Sequence, residues 1–244
     1  LAEQAASDGL DNKSALFSRL LPMLKAQSAY FSLAAVKRAL AGAEIELADD
    51  TLREYMSEAM ATGLVGDAGR GWYSRHLASV ALDPKPVAKL IRSLAKAFPL
   101  LDFCCWSTSQ LNPFAQHLIA QPIAFLYAES DALEAVAEHL RAKGWEAWAN
   151  PGKKEAAQFV RAGERAVVLR PAIAKQPPSQ NHLASIEKVL VDLKVEAEKL
   201  KLMDTAEVQR ITDNILASEL LQLPVLFKYA EVKSEKIESE EITH

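Results

Sequence analysis

Residues 63–74 constrain this chain more than any other segment. Two short extended pieces, Leu64-Val65 and Trp72-Tyr73-Ser74, flank a turn that carries Gly66, Gly69 and Gly71. Glycine takes the left-handed backbone that a tight turn requires, so the segment predicts a β-hairpin. Three helical patterns precede it. Ser14 stands at an N-cap position before Leu16, Phe17, Leu20, Leu21 and Leu24. The extended pair Tyr30-Phe31 leads into Ser32, a second cap, followed by Leu33, Val36, Ala39 and Leu40 up to Gly42. Asp49, Asp50 or Thr51 opens a third stretch with Leu52, Tyr55, Met56, Ala59 and Met60, which Gly63 ends. Apolar residues at steps of three and four trace one helix face. Helix, short strand, helix, helix, hairpin is the order of a winged helix, expected over residues 14–76.

Residues 77–99 predict a basic connecting helix. Asp83-Pro84 opens it, Val87, Leu90, Ile91, Leu94 and Phe98 form its apolar side, and Lys85, Lys89, Arg92 and Lys96 share another face. Pro99 ends it and marks the expected domain boundary. Beyond that point short apolar runs alternate with helical stretches, the texture of an α/β sheet. Strands are expected at Leu100–Trp106, Ile123–Tyr127, Trp145–Ala149 and Arg165–Leu169, with helices at Pro113–Ala120 and from Asp131 to Gly144. After the prolines at 171, 177 and 178, Leu183, Ile186, Leu190, Leu193, Ala197 and Leu200 make a heptad-like seam, expected to pack against the helix that starts at Asp204 or Thr205. The expected fold is therefore a mixed α+β and α/β chain: an N-terminal winged helix, then an α/β domain with a C-terminal helical hairpin over residues 100–230. Residues 231–244, rich in Glu and Lys, predict a flexible tail.

Of the 244 residues 50% are hydrophobic and 25% charged, which excludes wholesale disorder. No apolar run reaches the roughly 18 residues that span a bilayer, and nothing from Leu1 onward resembles a secretory leader, so a cytoplasmic protein is expected. Cys104 and Cys105 are adjacent in an apolar run, which suits buried structural thiols better than a disulfide framework or a zinc site. Trp106, Trp145 and Trp148 suit the packing of a half-buried sheet.

No enzyme signature emerges. His76, His117, His139, His182 and His244 lack metal-ligand spacing and are expected at the surface; nucleophile elbows, P-loops and dinucleotide fingerprints are absent. Asp102 with the distant Glu187-Lys188 has the composition of a metal-dependent nuclease triad, but Lys188 falls in a helical pattern instead of a strand. The expectation is a protein that is not an enzyme and needs no cofactor.

The formal charge of −4 denies the whole molecule an attraction to nucleic acid, so any DNA contact must be local. Arg53 and Ser57 occupy the outward face of the third helix, Arg70 sits in the hairpin turn and Arg75 just behind it, positions suited to base and phosphate contacts. Residues 14–76 nevertheless carry seven Lys or Arg against seven Asp or Glu, which leaves protein docking open as the module's role. Lys85, Lys89, Arg92 and Lys96 form the densest basic face, either an ordinary solvated surface or a contact for DNA or an acidic partner.

Several pieces, namely Phe31-Ser32-Leu33 into Val36, Gly63-Leu64-Val65, Trp72-Tyr73, the strand end Arg170-Pro171 and the run Ile186 to Leu193, resemble the AbiEi-like antitoxins of bacterial abortive-infection and toxin–antitoxin systems. The resemblance is diffuse and spans most of the chain. It implies an antitoxin-type transcriptional regulator whose winged helix binds operator DNA, through cations that map onto Arg53, Arg70 and Arg75, and whose remainder opposes a nucleotidyltransferase-like toxin. A winged-helix transcription factor with a ligand-sensing C-terminal domain, and an enzyme with a non-motif active site, are the alternatives.

Overall fold

The computed structural model describes residues 12–242, with side chains through Glu235; the predicted tail beyond Ile242, including His244, lies outside the described residues. The chain divides into two compact units. One takes residues up to Val80 together with Leu216–Pro224; the other takes Ala81–Ile215 and the chain from Val225 on.

The first unit begins with a helix already formed before Leu16, so Ser14 lies within it and does not cap it. Pro22 has no N–H for the carbonyl of Ser18, and the helix runs in π register over α1 (Leu16–Leu20) before it resumes as α2 (Leu21–Gln27). Then come β1 (Tyr30–Ser32), α3 (Leu33–Gly42) and α4 (Asp49–Ala61). The Ser32 side chain accepts from the Ala35 N–H at 3.2 Å and caps α3 as expected. No side chain caps α4; Asp49 and Asp50 lie in its first turn, where the helix dipole favours carboxylates. The strand expected at Leu64-Val65 forms two residues later as β2 (Gly66–Asp67), and it pairs antiparallel with β3 (Trp72–Ser74). Because β1 pairs with the other edge of β3, the sheet order is β1-β3-β2. Leu16, Leu20, Leu21, Phe31, Val36, Leu40, Leu52, Met56 and Tyr73 fill the core beneath it. Those apolar stripes supply the driving force for the unit, at about 1.5–3 kcal/mol for each fully buried large side chain.

The segment Leu216–Pro224 completes this unit as a strap along the hairpin. Tyr30 Oη donates to the Glu219 carbonyl and accepts from the Leu221 N–H, and Arg75 Nη2 donates to the Ala217 carbonyl at 3.0 Å. Gln222 Nε2 donates to the Asp67 carbonyl at 2.8 Å, and the Leu223 N–H donates to the Ala68 carbonyl at 2.9 Å. From the sequence these residues are expected in the α/β domain. Their backbone groups instead find partners along the hairpin, which is where buried amides must find them.

The second unit holds a four-stranded sheet of order β4-β5-β7-β6, formed by β4 (Phe103–Ser107), β5 (Ala124–Ala128), β6 (Glu146–Ala149) and β7 (Ala166–Pro171). β4 runs antiparallel to β5, while β5, β7 and β6 are parallel. Successive side chains of a strand face opposite sides, so the pairing sorts them into two layers. Phe103, Cys105, Leu126, Val167 and Leu169 meet α5 (Ala88–Ala97) and α6 (Leu133–Ala142) through Leu90, Leu94, Val136 and Leu140, with Val87 of the preceding 3-10 turn in the same core. This packing corrects the boundary expected at Pro99. The basic helix is part of the second unit's core, and the division falls between Val80 and Ala81.

The remaining helices are α7 (Lys153–Phe159), α8 (Ile186–Leu200), α9 (Thr205–Ser218) and α10 (Leu223–Ile242). The helix expected at Pro113–Ala120 is absent; a 3-10 turn at Thr108–Leu111 stands before it and irregular chain replaces it. The flexible tail expected from Glu231 is likewise corrected, since α10 runs on to Ile242 and Lys233 is buried. No helix among the described residues is long and apolar enough to cross a membrane.

Candidate functional site

Two kinds of polar assembly stand out: exposed cations on α4, the hairpin and α5, and a buried ionic network on the second face of the larger sheet.

On α4, Arg53 and Ser57 are exposed, as predicted for an outward face. Arg53 Nη1 lies 3.4 Å from Asp50 Oδ1, an exposed pair of little energetic worth. Asp49 is held by Lys37 at 2.6 Å; that hydrogen bond and the Lys37 charge depress its carboxyl pKa, with a smaller contribution from Arg53. The N-terminus of α4 is therefore anionic, and a phosphate would be met by the middle of the helix. Arg70 is exposed in the turn, where Gly69 and Gly71 take positive φ. Burial and Asp67 push the Tyr73 phenol up while Arg53 opposes them, so the Arg53 charge is felt on β3 and the α4 face and the hairpin are neighbours. Arg75 is exposed but turned onto the strap at Ala217.

Lys89, Arg92 and Lys96 project from α5, with Lys85 in the 3-10 turn Lys85–Val87 ahead of it, and all four are exposed. The same helix sinks Leu90 and Leu94 into the core, so amphipathicity alone sets the cations outward.

The network gathers on the sheet face that Cys104, Tyr127 and Arg170 share, three residues joined by register: Cys104 opposite Tyr127, Tyr127 opposite Arg170. α8 lies over this face instead of packing only on the helix after it. Lys188 Nζ sits 3.6 Å above the Tyr127 ring, donates to Tyr229 Oη at 2.7 Å and pairs with Asp192 Oδ2 at 2.8 Å. Tyr229 in turn donates to Asp192 Oδ1 at 2.9 Å, and Lys233 approaches the same oxygen at 3.1 Å. One turn further along α8, Glu196 accepts from Arg170 Nε and from Nη2, the latter at 2.8 Å, while Arg170 Nη1 reaches the Pro151 carbonyl at 2.7 Å. Burial depresses the Lys188 pKa while Asp192 works against that shift; burial also drives the Tyr127 and Tyr229 phenols well up.

The sequence motifs do not announce this network. Its signal is a charge at every fourth position of α8, Lys188, Asp192 and Glu196, set among the helix's other charges Glu187, Lys194, Glu198 and Lys199, and a lone Arg170 near the end of an apolar strand. The nuclease-like trio does not assemble as a strand-borne site: Lys188 is on α8 and fully buried, while Asp102 is exposed. Nor do the described residues hold a cluster of three or more His, Cys, Asp or Glu suited to a metal. A hollow of about 200 Å³, lined in part by Thr108, Ile123, Arg161 and Lys201, includes no member of the network. The arrangement fixes α8 and α10 on the sheet. Both cysteines are buried and free, and burial raises Cys104 to about 11 and Cys105 further. His182 stacks on Phe103 at 4.0 Å and His139 meets Ser93 at 3.2 Å, so these two are packed and not bare surface residues.

No curated protein and no solved structure matches the chain. Residues 51–244, from α4 onward, match the Family of unknown function (DUF6577), and since this takes in most of the sequence the chain belongs to that family.

Proposed function

We propose that this protein is a DNA-binding regulator of the antitoxin type, whose first unit is a winged-helix module and which acts by binding and not by catalysis. The observation that carries the reading is the order of the first unit: helix, β1, α3, α4 and the β2–β3 hairpin, with β1 closing the sheet on β3. In winged helices that bind DNA, the helix before the hairpin enters the major groove and the hairpin flanks it. Here that helix offers Arg53 and Ser57, and the hairpin turn offers Arg70. Arg75 serves the strap, so its loss would act through the shape of the hairpin.

The antitoxin role rests on the resemblance to AbiEi-like proteins. Its most suggestive piece, Ile186 to Leu193, contributes Lys188 and Asp192 to the buried network, and another, Arg170-Pro171, contributes Arg170. A network that fixes two helices on a sheet would give the second unit a rigid outer surface for opposing a nucleotidyltransferase-like toxin.

Selection from a random duplex library with the full chain tests the DNA half. Enrichment of one sequence, weakened at least tenfold by replacing Arg53, Ser57 and Arg70 with Ala, is expected; no enrichment at low salt would refute it, and would favour a winged helix that docks protein. Co-expression with a nucleotidyltransferase-like toxin encoded by an adjacent gene tests the other half, growth rescue being expected and continued arrest contradicting it.

A further inference from the structure

We propose that the outer face of α5 is a second nucleic-acid surface, one that grips the phosphate backbone of duplex DNA without reading its sequence. The proposal deepens the DNA-binding reading above and rests on it. Residues 84–101 contain Lys85, Lys89, Arg92 and Lys96 and no Asp or Glu, in a chain whose formal charge is −4. Three exposed arginines on other helices hold carboxylates, Arg53 with Asp50, Arg141 with Glu134 and Arg210 with Glu207, while Arg19 and Arg38 stand singly on theirs. Among the described residues the four cations of this face hold none, and the one hydrogen bond made by their charged groups runs from Arg92 Nε to the Ala88 carbonyl at 3.2 Å. Within residues 84–101 no acid offsets their field; Asp83, just ahead, accepts from the Lys85 backbone N–H at 3.0 Å.

The pattern of charge selects the occupant. At about 1.5 Å of rise per residue, eleven positions from Lys85 to Lys96 cover roughly 16 Å. One strand of duplex DNA presents a phosphate about every 3.4 Å along its axis, so the row faces about five phosphates of a strand. An unbroken row of one sign fits an unbroken row of the other. A protein partner would call for an apolar anchor inside the patch, but Val87, Leu90 and Leu94 are all turned into the core. A membrane surface would use Leu100, which is 98% exposed three residues past the helix, and so supplies the rival outcome in the test.

The experiment uses the full chain and a duplex of arbitrary sequence, with affinity followed against salt concentration. Each neutralised phosphate contributes about 0.9 to the slope of log affinity against log salt, so changing Lys85, Lys89, Arg92 and Lys96 together to Gln should lower that slope by about 3 to 4. Change to Glu should abolish binding to the arbitrary duplex, with circular dichroism unchanged because all four side chains are solvated. The Arg53→Ala, Arg70→Ala variant separates the two surfaces: it should lose preference between sequences yet retain the α5 share of the slope. An unaltered slope in the Gln variant overturns this proposal alone, whereas absence of sequence preference in the unmodified chain overturns the operator-binding reading alone. Mixed phosphatidylcholine–phosphatidylserine vesicles and polyglutamate serve as controls. Binding to either that depends on the four cations, with duplex affinity unaffected by them, overturns the proposal in favour of a membrane or an acidic protein.

Discussion

Asp192→Asn should be among the most destabilising single-atom changes available to this protein. The side chain is wholly buried and serves two cations, Lys188 at 2.8 Å and Lys233 at 3.1 Å, whose side chains are 0% and 10% exposed. Asparagine keeps the shape and can still accept from Tyr229, so the substitution removes charge and little else. Two ammonium groups are then left beside each other in low dielectric without a counter-charge. Removal of one partner of a buried pair costs about 3–5 kcal/mol, a large part of a typical domain's 5–15 kcal/mol. With a urea dependence of about 2 kcal/mol per molar, the midpoint should fall by about 1.5–2.5 M. Tryptophan fluorescence is a suitable readout because Trp106 is fully buried in the same unit, stacked on Phe125 at 4.7 Å. Adding Lys188→Met should restore part of the loss, since it withdraws one stranded charge. Glu134→Gln, which breaks the exposed pair with Arg141, should cost no more than about 0.5 kcal/mol. A loss below about 1 kcal/mol for Asp192→Asn, or no recovery in the double variant, would refute the view that this network is a buried, mutually compensated unit.

Cys104 and Cys105 should resist alkylation at pH 8 in the folded protein and react fully in denaturant. Because burial raises the Cys104 pKa from 9.0 to about 11, its contribution to stability is present below pH 9 and is lost as pH rises towards 11, a trend that Cys104→Ala should flatten in urea titrations. The strap predicts that Gly69→Ala destabilises the first unit by about 1–3 kcal/mol, since φ is +95° and a Cβ would meet Pro224 Cδ at 2.6 Å. Gly42→Ala, at the helical end of α3 with nothing within 4 Å, is the control and should be neutral or stabilising by up to about 1 kcal/mol in the same thermal melts. Tyr30→Phe removes the hydroxyl that joins β1 to Glu219 and Leu221, and should raise hydrogen exchange at the Leu221 amide without altering the core around Phe31.

Local periodicity made much of the architecture legible. Ser32 and the Leu33 to Leu40 stripe mark α3, the glycines at 69 and 71 mark the hairpin turn, Gly66 lying in β2 instead, and the apolar runs locate all four strands of the larger sheet to within three residues. What failed was non-local. Pro113–Ala120 has helical composition, but the Asn112 side chain accepts from the Ile119 N–H at 2.8 Å and closes a loop instead. Pro99 ends a helix without ending a unit, because whether Leu90 and Leu94 belong to the sheet's core depends on what they pack against. The strap was invisible for the same reason: its partners Tyr30, Asp67 and Ala68 are about 150 to 190 positions away in sequence. Of the candidate site, the exposed cations were readable from helix faces. The buried network was not, since Lys188 and Asp192 look like an ordinary exposed i, i+4 pair until Tyr127 and Tyr229 close over them.

The most direct test of the DNA-binding account is amide hydrogen exchange of the full chain with and without an enriched duplex. The account predicts new protection concentrated on Asp49–Ala61 and the hairpin from Gly66 to Ser74, with a weaker footprint on Ala88–Ala97 that fades as salt is raised. Protection confined to other segments, or none at duplex concentrations that saturate binding, would contradict it.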